Sequence, residues 1–130
     1  KWNLMHDKSV EIIVEGLLSI GLLKGTKEEI IERGDYSKFY MHRIGHWLGM
    51  DVHDVGSYKQ DGDWRELEKG MVMTVEPGIY ILDSIEGIDD KWKGIGVRIE
   101  DDIAITDSGF EILTPDVPRT IEEVEQTVQG

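Results

Sequence analysis

Two short apolar runs constrain the fold of this 130-residue chain more than any other feature. The first covers residues 70–76, stops at a Pro-Gly pair and resumes over residues 79–82. The second covers residues 96–106 and is closed by an Asp-Ser-Gly turn signal. Runs of this length, bounded by Gly, Pro and Asp, are typical of strands. Residues 83–95 between them are too many for a tight turn, so we expect an exposed loop that joins paired strands.

Helical patterns flank these strands. Apolar residues at helical spacing predict an amphipathic helix over residues 4–20, on whose surface we expect His6. Thr26 and Glu29 form a capping-box pattern for a second helix that ends at Gly34, and residues 120–126 predict a short acidic helix. No repeat or linker divides the chain. We therefore predict one α+β unit, mostly antiparallel sheet with flanking helices.

Charge and composition argue against several classes of partner. The chain carries 27 acidic and 14 basic residues, for a net charge of −13. Nucleic-acid binders present basic patches and membrane-surface proteins present Lys- and Arg-rich helix faces, so we expect neither partner. The acidic excess is typical of a hydrated surface, although it also favours bound cations. The absence of cysteine excludes disulfides and thiolate sites, and it favours a cytoplasmic location.

Glu76 ends the first apolar run, where alternation predicts a carboxylate that is at least partly buried. A buried, unpaired charge costs several kcal/mol. The site therefore needs an arginine partner, a raised pKa or a metal ion, and Pro77 favours extended backbone at Glu76. Taken alone, a structural ion pair and a functional role stay equally open.

Glu100 lies in the second run, two residues after Arg98 and on the same predicted strand face. An Arg98–Glu100 pair on a half-exposed strand is the simpler interpretation, and such pairs contribute about 0–1 kcal/mol. The alternative is that Glu76 and Glu100 are two buried carboxylates that act together with a histidine.

Three of the four histidines lie within twelve positions, at His42, His46 and His53. The first two have the i, i+4 spacing of a zinc-binding H-E-x-x-H helix. Arg43 replaces the general base of that motif and two nearby glycines disfavour a helix, so we reject it. One histidine with two buried carboxylates is nevertheless a ligand set suited to zinc, manganese, iron or cobalt.

Three segments, residues 42–56, 70–80 and 94–102, resemble in order the motifs of one family. This family is the metal-dependent aminopeptidases and dipeptidases with the pita-bread fold, specifically the Xaa-Pro branch that contains aminopeptidase P and prolidase. The resemblance covers most of residues 2–126. It implies that residues 1–130 are the C-terminal half of a pita-bread catalytic domain, without the upstream half and an N-terminal domain.

The resemblance also implies a metal centre. His46 and Glu76 resemble ligands of one divalent ion, and Glu100 resembles a carboxylate that bridges two ions. Such a pair, with manganese preferred over zinc, cobalt or iron, would activate a bridging water. Two further aspartate ligands of the family have no counterpart in this chain. We therefore expect the chain alone to hold metal weakly or not at all and to be inactive.

The remaining implied roles concern catalysis and substrate binding. Glu76 resembles the proton shuttle that protonates the leaving proline nitrogen. His53 resembles a residue that hydrogen-bonds the substrate near the scissile bond, His42 one that lines the proline pocket, and Arg98 a cation that orients the substrate. All four are therefore candidate catalytic residues.

The implied activity is that of an Xaa-Pro aminopeptidase, a hydrolase of peptides with proline in the second position, in a homo-oligomeric parent protein. Prolidase is the nearest alternative, and Trp47 together with residues 91–94 favours the aminopeptidase. A different class of alternative is a non-catalytic pita-bread module that binds a partner. An acidic domain with scattered ion pairs is the simplest one, and it leaves the three ordered motifs unexplained.

Overall fold

The computed structural model describes residues 1–130 as an α+β molecule in which every strand pairing is antiparallel. The α-helices are α1 (Trp2–Ser19), α2 (Lys27–Arg33) and α3 (Ile121–Gln129). The strands are β1 (Lys59–Gln60), β2 (Asp63–Trp64), β3 (Val72–Val75), β4 (Gly78–Ile81), β5 (Ile95–Arg98), β6 (Asp101–Thr106) and β7 (Gly109–Ile112). Single 3₁₀ turns cover Asp35–Lys38 and Asp90–Trp92. The predicted class and pairing are confirmed.

The helix boundaries follow the sequence signals. Thr26 and Glu29 make both hydrogen bonds of the capping box at the start of α2. Gly34 ends that helix with a φ of 71°, a left-handed conformation that glycine adopts without a steric penalty. A second capping box, between Thr120 and Glu123, begins α3. Local hydrogen bonding therefore determines where both short helices begin.

The expectation that His6 lies on the surface of α1 is wrong. Its side chain is buried, and its ring lies 5.6 Å from that of Tyr40. His6 shares one helix face with Trp2 and Ser9, which are also buried. The buried face of α1 is thus wider than its apolar residues alone indicated, and it includes two polar side chains.

Both apolar runs break at a glutamate. Residues 76–77 separate β3 from β4, and residues 99–100 separate β5 from β6. β3 pairs with β6 and β4 pairs with β5, so the two breaks face each other. A backbone hydrogen bond from the N–H of Ile99 to the carbonyl of Pro77, 3.2 Å long, joins them. The antiparallel pairing therefore brings the two glutamates to the same place.

The second run is not the single strand that its composition predicted. β5 and β6 belong to different sheets, and Glu100 lies in the crossing between them. Pro77 has no N–H to donate to a sheet ladder, so one hydrogen bond of regular pairing is missing where the two breaks face each other.

Three strands were not predicted. β1 and β2 form a hairpin whose turn residues, Asp61 and Gly62, both have positive φ. Asp-Gly is a strong hairpin signal, but each strand has only two residues and shows no alternation. β7 pairs with β6 after the recognised turn at residues 107–108, and all four of its residues are exposed.

Two buried clusters hold these elements together. The larger lies mainly between α1 and α2 and also includes Ile81 of β4. The smaller joins the start of α1 to β3 and β6 through Trp2, Trp47, Met73 and Ile103. In the smaller cluster Trp47, which follows His46, packs against Met73 of β3. This contact positions the histidine segment, residues 42–53.

Apolar side chains stay exposed on two edge strands and on α3. Every residue of β5 and β7 is exposed, and each strand forms an edge of its sheet. α3 has no buried residue although it carries Ile121, Val124 and Val128. No helix in this structure combines the length and the apolar composition that a membrane span needs.

Candidate metal centre

Three side chains from separate segments meet where the two strand breaks face each other. His46, Glu76 and Glu100 each offer one ligand atom, and these atoms all lie within 4.8 Å of one another. The three residues lie 30 and 24 positions apart in sequence, so only the fold brings them together. These are the three residues predicted as candidate metal ligands from the sequence.

The segment that carries His46 is extended and not helical, which agrees with the prediction that this segment does not form a zinc-binding helix. It runs beside β3, with a bridge between Trp47 and Met73. The N–H of Thr74 donates to the carbonyl of His46 at 3.0 Å, and the N–H of Glu76 donates to that of Ile44 at 2.7 Å. His46 is therefore held against the strand that leads to Glu76.

Glycine makes this close approach possible. A Cβ at Gly45 would lie 1.9 Å from the backbone oxygen of Thr74, which is far inside van der Waals contact. The glycine that argued against a helix at the sequence level thus has a separate role in the fold. It lets the histidine segment pack directly on β3.

A backbone contact orients the imidazole of His46. Its Nδ1 lies 2.9 Å from the carbonyl oxygen of Trp47, which can only accept a hydrogen bond. The proton of a neutral ring therefore sits on Nδ1 and the lone pair on Nε2. Nε2 lies 3.2 Å from Oε1 of Glu76. Two lone pairs face each other there, and a cation between them, either a proton or a metal ion, would stabilise the arrangement.

Glu76 is 7% exposed, as the strand pattern predicted. Its Oε1 accepts a hydrogen bond of 2.9 Å from the hydroxyl of Thr74, and its Oε2 lies 3.1 Å from a guanidinium nitrogen of Arg98. The ion pair and the candidate ligand role therefore coexist at one carboxylate. Because each oxygen has a partner, the carboxylate is held in one orientation.

Glu100 differs from the prediction in two respects. It is exposed, and it follows β5 instead of lying within a strand. The ion pair of Arg98 is with Glu76, so the Arg98–Glu100 pair that the sequence suggested is wrong. The break between β5 and β6 causes both differences, because it turns Glu100 toward His46 and Glu76.

Tyr80 connects His42 to Arg98, a role that was not predicted from the sequence. Nδ1 of His42 lies 2.7 Å from the carbonyl of Arg43, so in the neutral ring Nε2 is the acceptor and the hydroxyl of Tyr80 donates to it at 3.1 Å. Nε of Arg98 donates to the same hydroxyl oxygen at 2.6 Å. This hydrogen bond is the main factor that raises the pKa of Arg98, which stays charged. In the sequence, the only indication of this role is the Ile-Tyr-Ile alternation of β4, which places Tyr80 on the opposite strand face from its two isoleucine neighbours.

His53 lies beside the same cluster. Its ring centroid is 4.4 Å from that of His46, with the two rings nearly perpendicular. The residue is exposed. All three clustered histidines therefore lie near the candidate metal centre. His42 is linked to it by the hydrogen bonds of Tyr80 to Arg98, and His53 by its ring contact with His46.

The chemistry of the converging donors fits a divalent metal ion. One imidazole nitrogen and two carboxylates are ligands that zinc, manganese, iron and cobalt accept. The hydrogen bond at Nδ1 of His46 is the outer contact that metal-binding histidines commonly make. Three ligands from one chain leave further coordination positions for other groups.

Known proteins share both this sequence and this fold. The sequence profile of metallopeptidase family M24 matches residues 4–107. The chain belongs to metallopeptidase family M24. The M24 chain resembles the aminopeptidase PepP of Pseudomonas aeruginosa, with a TM-score of 0.95 and 54% identity over 98% of this chain and 29% of that one. This likeness confirms the pita-bread fold that the motifs implied.

Two curated relatives carry names that describe their substrates. The M24 chain is 52% identical over 120 residues to the Xaa-Pro aminopeptidase of Haemophilus influenzae, covering 92% of this chain and 27% of that protein. It is 38% identical to the human Xaa-Pro dipeptidase over an alignment of 157 positions, which covers 99% of this chain and 32% of that protein. The chain thus spans about a third or less of the length of these relatives.

Proposed function

We propose that the protein containing this chain is an Xaa-Pro aminopeptidase, which hydrolyses the bond between an N-terminal residue and a following proline. The convergence of the ligand atoms of His46, Glu76 and Glu100 carries this proposal. The 52% identity to a relative named for this activity supports the substrate class. Identity to the relative named as a dipeptidase is lower, at 38%, which makes prolidase the second candidate.

Residues 1–130 are, in this proposal, the C-terminal half of the catalytic domain. The small fraction of each relative that the chain covers supports this assignment. The two aspartate ligands implied by the family resemblance would come from the other half. The whole protein would be a cytoplasmic homo-oligomer that acts on peptides and binds neither nucleic acid nor membranes.

His46, Glu76 and Glu100 would together hold part of a pair of divalent ions, with manganese as the preferred metal. Zinc, cobalt and iron suit the same donors. When bound, such ions act as Lewis acids on a peptide carbonyl and lower the pKa of water toward neutrality.

Glu76 would move the proton during hydrolysis. Its buried carboxylate is oriented by Thr74 and Arg98, and Oε1 points toward the imidazole of His46. A carboxylate held in this way can accept a proton from the attacking water and deliver it to the departing proline nitrogen.

His42, His53 and Arg98 would bind and orient the peptide. His42 and Tyr80 meet edge to face, with ring centroids 5.5 Å apart, and offer an apolar wall beside Arg98 that suits a proline ring. His53 is exposed next to His46 and can hydrogen-bond the substrate near the scissile bond. The guanidinium of Arg98 can contact a substrate carbonyl while it holds Glu76.

A comparison of peptide substrates tests the proposal and separates its two candidates. The full-length protein, loaded with Mn²⁺, is given Xaa-Pro-Xaa tripeptides and Xaa-Pro dipeptides under the same conditions. We expect a higher kcat/KM on the tripeptides. Preference for the dipeptides would identify a prolidase, and hydrolysis of neither would favour a peptide-binding module without catalytic activity.

The variant Glu76→Gln tests the proton-transfer role in the same protein. Removing a general base costs about 100- to 10,000-fold in rate, so kcat should fall by at least that lower factor. Glu122→Gln on the exposed surface of α3 is the matched control and should keep the wild-type kcat. Metal analysis of purified full-length protein completes the test, because no stoichiometric divalent ion would again favour the binding module.

A further inference from the structure

We propose that Thr74 is a positioning residue for the metal centre, through one hydroxyl that orients both His46 and Glu76. The inference rests on the proposed function, because it assigns Thr74 a purpose in the same site. Thr74 is 2% exposed and precedes Glu76 by two positions, so both side chains lie on one face of the extended chain.

The direction of each hydrogen bond is determined by its partners. The backbone N–H of His46 donates to Oγ1 of Thr74 at 3.0 Å. The hydroxyl proton of Thr74 is then free, and it is donated to Oε1 of Glu76 at 2.9 Å. A carboxylate oxygen can only accept, which excludes the reverse arrangement while Glu76 is ionised. The hydroxyl therefore links the two residues without ambiguity.

The backbone of Thr74 adds a third connection, because its N–H donates to the carbonyl of His46 at 3.0 Å. Thr74 thus binds both the N–H and the carbonyl of the ligand residue, and its side chain binds the ligand carboxylate. Oε1 of Glu76, the atom that Thr74 holds, is also the atom 3.2 Å from Nε2 of His46. Loss of the hydroxyl would remove one restraint on His46 and the hydrogen bond that orients Oε1 of Glu76.

Metal affinity in the full-length protein tests this role without relying on activity. Substitution of residues that support metal ligands commonly lowers metal affinity or activity by about 10- to 100-fold. We expect Thr74→Val, which keeps the shape and loses the hydroxyl, to weaken Mn²⁺ binding by a factor in this range in calorimetric titration. Thr74→Ser keeps the hydroxyl and should restore wild-type affinity. If Thr74→Val does not fold, Thr74→Ala carries the same expectation without a steric clash.

Met73→Leu is the matched control for general damage to β3. Met73, in the neighbouring position, is fully buried in the smaller cluster with Trp2 and Trp47, and its side chain makes no hydrogen bond to either ligand. Met73→Leu should bind Mn²⁺ as the wild type does. At saturating Mn²⁺, Thr74→Val should lower kcat and leave KM nearly unchanged, because Thr74 contacts Glu76 and no substrate-binding residue.

Wild-type Mn²⁺ affinity in Thr74→Val, or failure of Thr74→Ser to restore it, would overturn the positioning role. Equal losses in Thr74→Val and Met73→Leu would overturn it as well. The proposed function fails separately, if the wild-type protein binds Mn²⁺ but cleaves neither peptide class. The affinity comparison among the variants still decides the role of Thr74 in that case.

Discussion

Buried polar side chains are the positions where single residues of this protein matter most. Thr74 and Glu76 are each less than a tenth exposed and are hydrogen-bonded to each other. His6 is buried to a similar degree, but its Nδ1 has no hydrogen-bond partner. A satisfied buried group stabilises the fold, whereas an unsatisfied one carries its desolvation cost. The two kinds of site should therefore respond differently to substitution and to pH.

His6 should make stability depend on pH. Burial is the main cause that lowers the pKa of His6 below its usual 6.5, and the charge of Arg43 adds to it. The unfolded chain then binds the proton more readily, so stability is complete above about pH 6.5 and declines as the pH falls below it. His6→Phe should reduce this decline in urea unfolding of the protein between about pH 7.5 and about pH 5.

Tyr40→Phe is the control for that measurement, because it removes the hydroxyl contact with Ser9 and keeps the imidazole of His6. It should lower stability at every pH while the decline toward acid stays as in the wild type. An acid decline that is equally steep in wild type and His6→Phe would show that His6 is not its source.

At the scale of elements, the packing of the histidine segment on β3 depends on Gly45. An added Cβ would collide with the backbone of Thr74, so Gly45→Ala should reduce the free energy of unfolding by about 1–3 kcal/mol, as overpacking does. It should also weaken Mn²⁺ binding in the full-length protein, because His46 moves with the segment. Calorimetric titration and urea unfolding measure the two effects.

Gly16→Ala provides the matched comparison. Gly16 lies within α1, and a Cβ there would meet no atom within 4 Å. Replacing a helix-interior glycine by alanine stabilises a protein by about 0.5–1 kcal/mol. We expect Gly16→Ala to raise stability and leave metal binding unchanged. If Gly45→Ala and Gly16→Ala changed stability and Mn²⁺ binding to the same extent, the role assigned to Gly45 would be contradicted.

The attachment of α3 depends on Arg119. Its guanidinium donates to both carboxylate oxygens of Asp101, at 2.7 and 2.6 Å, and to the carbonyl of Thr114 at 2.8 Å. The hydrogen bond from Arg119 is the main cause that lowers the pKa of Asp101. Because α3 buries no side chain, few other contacts hold its N-terminus to β6.

Arg119→Ala should therefore release α3, and limited proteolysis of the protein should cleave residues 113–120 faster than in the wild type. Arg119→Lys keeps the charge but lacks the forked geometry, so an intermediate rate is expected. Glu122→Ala, on the same helix, serves as the control with wild-type cleavage. Identical rates in Arg119→Ala and wild type would mean that other contacts hold the helix.

At the scale of the whole molecule, the exposed strands β5 and β7 accompany a candidate metal centre to which this chain contributes three ligands. Unpaired strand edges and large apolar patches are typical sites of association. Both features agree with the proposal that residues 1–130 are half of a catalytic domain, whose other half would supply further ligands. They also predict how residues 1–130 behave when they are produced alone.

Isolated residues 1–130 should not hydrolyse an Xaa-Pro-Xaa tripeptide in the presence of Mn²⁺, because the implied aspartate ligands are missing. The full-length protein under the same conditions is the control. The isolated chain should also bind a dye for apolar surface and associate in gel filtration. Turnover at the rate of the full-length protein, or a stable monomer that binds no dye, would contradict these expectations.

Much of the molecule could be derived from local sequence. A capping box predicted where α2 begins, short apolar runs predicted β3 and β4, and alternation predicted the burial of Glu76. Such signals can be read because capping and alternation depend on residues only a few positions apart. The ordered motifs named the family and the three residues that converge.

Only the tertiary structure shows the features that depend on contacts between residues far apart in sequence. The second apolar run is interrupted at Glu100, Arg98 forms its ion pair with Glu76 instead of Glu100, and His6 is buried. It also uses Tyr80 and Thr74 as hydrogen-bonding partners of the candidate site. Each outcome depends on which strand or helix lies opposite, and local periodicity does not encode that choice. The sequence by itself determined which side chains could bind a metal ion, and the antiparallel pairing of two broken strands placed them within reach of one.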